Sequence, residues 1–152
     1  SPTVLLGNSI GRMCGMNSKQ KGDIAEMAAA KRFREAGHQV LFPFGDNARF
    51  DFAVYKNRKF DRIQAKTARL DEGVAKVDLA STNYKNSETT TNGYDKSEID
   101  YFAVWVPEKE DLLILDVRVF GNSAWLRYRE PKKADSNINW AEDYKFRGGS
   151  NG

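Results

Sequence analysis

Two segments rich in β-branched and aromatic residues, Phe50–Tyr55 and Phe60–Thr67, stand on either side of the polar run Lys56-Asn57-Arg58-Lys59. This pattern reads as a β-hairpin, and the length of its loop dictates which side chains meet. A two-residue loop at Asn57-Arg58, or a four-residue loop over Lys56–Lys59, sets Asp51 directly opposite Gln64. Alternation along the strand then puts Lys66 on the same face as Gln64. A three-residue loop would slip the register by one and send Asp51 and Gln64 to opposite faces. A carboxylate, an amide oxygen and an ammonium therefore gather at one end of the hairpin only in the first register.

The rest of the chain bounds what this hairpin can belong to. At 152 residues, 40% hydrophobic and 30% charged, it reads as one folded domain able to bury a core. A net charge of +3 permits an anionic partner without demanding one. The single cysteine, Cys14, excludes an internal disulfide framework and fits a reducing, intracellular compartment. No apolar run reaches the roughly 18 residues that span a bilayer, and Val4-Leu5-Leu6 is too short for a signal-peptide core. Residues 1–15 are expected to be an extension outside the fold, residues 16–146 the domain, and residues 147–152 a flexible tail.

Taken in order, the chain predicts one helix and about six strands. Asn17 or Ser18 can cap a helix that runs through the alanines at 25, 28, 29 and 30 to about Ala36, where Gly37 stops it. Ala29, Ala30, Phe33 and Ala36 project to one side, and Glu26 falls within that apolar sector. A carboxylate there needs a partner or must reach solvent. A short strand over Gln39–Pro43 and a turn at Gly45-Asp46-Asn47 precede the hairpin. Strands follow at Val74–Ser81, Asp100–Val106, Leu112–Val117 and Ala124–Tyr128. Asp100–Val106 has the near-continuous apolar character of a strand buried on both faces. Thr82–Glu98, rich in Asn, Thr, Lys and Ser, reads as a surface loop.

Several chemistries lack material. There is no phosphate-binding loop of the GxxxxGK type and no GxGxxG. His38 is the one histidine, so histidine triads and histidine-rich zinc sites are excluded, and His38 reads as a plain surface or helix-end residue. An oxygen-ligand metal site remains. Glu26, Asp51, the Gln64 side-chain oxygen and the Ala65 carbonyl form a donor set suited to a hard divalent cation such as Mg²⁺, with Mn²⁺ as a substitute. Lys66 beside it can orient or deprotonate a water and neutralise phosphate oxygens.

The order of a helical Glu, a strand Asp and Gln-x-Lys on the next strand resembles the PD-(D/E)XK nuclease superfamily. The likeness is greatest to its group I intron-encoded endonucleases. Residues 19–26, 41–47, Phe50-Asp51, 63–67, 100–104 and 140–144 carry the resemblance, which spans residues 16–146. It implies a restriction-endonuclease-like α/β fold, a mixed β-sheet flanked by helices. It also implies Mg²⁺-dependent, site-specific cleavage of double-stranded DNA in the cytoplasm or nucleoid, with Glu26, Asp51, Gln64 and Lys66 as the active-site positions. Gln64 stands where most of the superfamily has a carboxylate, and Ala65 where a β-branched residue is usual. Cutting both strands implies a homo-oligomer, dimer or tetramer, with no membrane partner. Lys19, Lys21, Asn47, Lys85, Lys96, Arg127, Arg129 and Lys132 are candidate DNA contacts. A Holliday-junction-resolvase-like nuclease and an inactive DNA-binding module of the same fold are the alternatives.

Overall fold

The computed structural model describes residues 15–85, 88–92, 98–129 and 137–148, with backbone alone at 81–85 and 88–92. Helix α1 (Ser18–Glu35) starts where the sequence signals it. Asn17 accepts from the Gln20 amide, and the Gln20 side chain accepts from the Asn17 amide, a reciprocal capping box. Gly37 ends it with a φ of +90°.

Strands β1 (Gln39–Leu41), β2 (Phe52–Lys56), β3 (Lys59–Thr67), β8 (Tyr101–Val106) and β9 (Asp111–Asp116) form a mixed five-stranded sheet in the order β1-β2-β3-β8-β9. Only the β3–β8 pairing is parallel within it. A second sheet, in the order β11-β10-β5-β4, combines β4 (Arg69–Asp71), β5 (Val74–Asp78), β10 (Ser123–Arg127) and β11 (Asn139–Trp140). Strands β6 (Ser81–Lys85) and β7 (Glu88–Asn92) pair as a hairpin. This corrects the expected loop over Thr82–Glu98 at 82–85 and 88–92, residues 86–87 and 93–97 lying outside the described residues: threonines at 82 and 89–91 supply β propensity without apolar alternation.

The five-stranded sheet lies between two apolar layers. On one face Phe52, Val54, Ile63, Ala103 and Leu112 pack under Ala29 and Phe33 of α1. On the other, Phe102, Val104, Val106, Leu113 and Leu115 pack against Ala75, Val77, Ala124 and Leu126 of the second sheet. The expected plural helices thus reduce, among the described residues, to one α-helix, with a sheet as the other flank. Met27 projects away from the core and is 71% exposed. His38 lies just past the helix end, its amide on the Phe33 carbonyl, but is half-buried and not plainly on the surface: it is edge-on to Phe33 at 5.2 Å, and burial pushes its imidazole below the usual range. Phe146 packs at a tilt on Phe33 at 4.6 Å, and Arg147, the first residue of the expected tail, donates to Glu142. No described helix is long and apolar enough to cross a membrane.

Candidate active site

The β2–β3 turn takes the two-residue form. Asn57 and Arg58 both have positive φ, 54° and 65°, the twist of a type I′ turn. Pairing runs from Lys56↔Lys59 to Phe52↔Ile63, the register that points Asp51 toward Gln64. The ladder then ends one residue short of that pair. The Asp51 amide donates to the Ile63 carbonyl at 2.9 Å, so the chain curls out of register. The Asp51 carboxylate takes over: its Oδ2 accepts from the Ala65 amide at 2.8 Å. That amide is the one a further backbone pair would have used.

A side chain that replaces backbone in this way is held firmly. Asp51 is half-buried, and burial raises its carboxyl above the ordinary aspartate range, against the Ala65 hydrogen bond and the Lys66 charge that pull it down. Glu26, carried on α1, is also raised, by burial first and then by the charges of Asp51 and Asp23. Of the two sequence alternatives for Glu26, the structure gives a half-buried carboxylate that senses Asp51.

The structure therefore brings together Glu26, Asp51, Ala65 and Lys66. Gln64 lies on β3 between Ile63 and Ala65 and alternates to the face shared with Lys66, beside Phe102 of β8. Among the described residues no hydrogen bond joins its side chain to Glu26, Asp51, Ala65 or Lys66. Nor do three or more His, Cys, Asp or Glu side chains converge on one point among those residues. A divalent cation held here would have two carboxylates, completed by the Gln64 amide oxygen and the Ala65 carbonyl. The fit is chemical: hard oxygen donors, and two carboxylates whose ionised forms are disfavoured in the absence of a compensating cation.

The candidate DNA contacts scatter. Lys19 and Lys21 lie in the first turn of α1, and Asn47 in the exposed turn after β1. Arg127 ends β10 in the second sheet, and Arg129 lies over Gly73 at the β4–β5 turn. The Lys85 side chain, Lys96 and Lys132 fall outside the described residues. Among the described candidates Lys21 shares a cleft with Lys66. Arg69 lines that cleft too and was passed over in the sequence. Its only signal was a third cation close behind Lys66, which exposed arginines supply by chance.

The PD-(D/E)XK endonuclease family profile matches residues 16–147. A solved bacterial homing endonuclease, I-Ssp6803I, has a similar structure, with a TM-score of 0.70 at 25% identity over 85% of this chain and 88% of that one. No curated protein matches. With the helical Glu26, the ladder-ending Asp51 and Gln64-Ala65-Lys66 in place, the chain belongs to the PD-(D/E)XK endonuclease family.

Proposed function

We propose that this protein is a Mg²⁺-dependent endonuclease of the homing type that hydrolyses phosphodiester bonds at a defined site in double-stranded DNA. The observation that carries this reading is the coupling of Glu26, Asp51 and Lys66 around the Ala65 amide. Family membership and the likeness to a homing endonuclease support it.

Glu26, Asp51, the Gln64 oxygen and the Ala65 carbonyl would hold the cation. A bound Mg²⁺ supplies charge stabilisation at the phosphate and a lower pKa for a coordinated water. The chain's own residues do the rest. Asp51 is fixed by its bond to Ala65, so the site needs little rearrangement when substrate arrives. Lys66 orients a water for in-line attack on phosphorus and neutralises the phosphate oxygens with its ammonium, while the proton of the attacking water passes to solvent. As the new P–O bond forms, the bond to the leaving oxygen breaks, and that oxygen takes up a proton from solvent. Two such sites on antiparallel strands require a two-fold symmetric assembly.

Incubation with Mg²⁺ and a random duplex library, followed by sequencing of the cut ends, tests the whole reading. Ends that converge on one sequence are expected. Lys66→Ala is expected to lower cleavage by about 10²–10⁴-fold while leaving the far-ultraviolet spectrum unchanged. Full activity in that variant would refute the site, and a strong preference for four-way junctions over linear duplex would replace homing with junction resolution.

A further inference from the structure

A cleft of about 470 Å³ opens between the first turn of α1 and the outgoing end of β3. Its floor is apolar and closed, with Ala65 at 8% and Ala68 at 4% exposure. The Thr67 hydroxyl donates to the Lys21 carbonyl at 3.2 Å and ties α1 to the strand at this point. Lys21, Lys66 and Arg69 face the cleft against a single carboxylate, Glu108.

Two features of this cleft are unexplained by folding. Arg62, Lys76, Arg118 and Lys145 each pair with a carboxylate. Among the described residues Lys21 and Arg69 have no such partner, and the first helical turn, where the dipole disfavours a cation, carries no acid. The second feature is Gly22. Glycine weakens a helix, yet a Cβ at this position would meet nothing within 4 Å. No neighbour demands the missing side chain. Its absence keeps the cleft wall low, which matters only to something that approaches α1 closely.

We infer that this cleft seats a DNA backbone phosphate next to the scissile one, held by Lys21 and Arg69 as positioning residues, with the sugar over Ala65–Ala68 and Gly22 as the point of closest approach. Three cations against one carboxylate suit a phosphodiester, and the apolar floor suits deoxyribose. Lys66 lines both the cleft and the candidate catalytic cluster, which fixes the seat as adjacent. The inference rests on the endonuclease reading above and extends it.

Binding of a fluorescent random-sequence duplex, followed by anisotropy in EDTA across a salt series, provides the test. Lys21→Gln and Arg69→Gln should each make the log–log salt dependence shallower by about 0.9. Arg69→Lys should restore it. Lys31→Gln, exposed on α1 and paired with Glu35, should leave it unchanged. Gly22→Leu should weaken binding several-fold with helix content retained. Unchanged salt slopes at both positions, in a protein that still cuts DNA with Mg²⁺, overturn the phosphate seat and leave the nuclease standing. An unaltered protein that neither binds nor cuts any duplex overturns both.

Discussion

The carboxylate of Asp51 is pulled two ways, and burial wins. The Ala65 amide and Lys66 favour its ionised form, but desolvation outweighs them. Glu26 is displaced in the same direction by its own burial and by Asp51. A carboxyl raised in the folded state keeps its proton to higher pH than in the unfolded chain. Its contribution to stability is full below the unfolded pKa and is lost as pH rises through the folded one. Ionising either carboxyl in the metal-free protein therefore works against its fold. Glu26→Gln is expected to raise the melting temperature in EDTA and to abolish both cleavage and the rise that Mg²⁺ gives the unaltered protein. Thermal melts with and without Mg²⁺ decide this; an EDTA melting temperature below that of the unaltered protein contradicts it.

At the scale of elements, β3 is edged by two aspartates that do the same work. Asp51 takes the Ala65 amide on the β2 side, and Asp100 takes the Arg62 amide at 2.7 Å on the β8 side. Asp100 also pairs with the Arg62 guanidinium at 3.0 Å, which holds its carboxyl below the ordinary range. The sign is opposite to that of Asp51: stability is present above the unfolded carboxylate pKa and is lost as pH falls through the folded value. Asp100→Asn should cost about 1 kcal/mol at neutral pH, given the pair's partial exposure, and nothing once acid has protonated the native carboxyl. Melts from neutral to acid pH check that convergence. The helix, its N-terminal cap and the hairpin were legible because each depends on neighbouring residues, while the register was narrowed only to alternatives set by loop length. Strands β4 and β11, three and two residues long, are too short to show a period. The departure of Asp51 from the ladder was not legible either, since a side chain and a backbone carbonyl compete there for one amide. For the same reason the Gln64 face could be read from alternation, while the absence of a hydrogen bond from its side chain to Asp51, among the described residues, could not.

Among the described residues the chain carries one candidate catalytic cluster, whereas the proposed cleavage of both strands needs two in opposite orientation. The functional particle is expected to sediment as an even multiple of the chain mass in the presence of duplex. A monomer that cuts both strands in one binding event would contradict the symmetric assembly. The bond between the Asp51 carboxylate and the Ala65 amide has a further use at this scale. Whatever draws that carboxylate away leaves the Ala65 N–H open to solvent, whether it is a cation, a DNA strand or a second copy that shifts α1. Deuterium uptake at this one amide is then a spectator-free clock for engagement of the site: slow in the resting protein, faster in Asp51→Ala, and changed by each ligand according to how far it competes for the same oxygen.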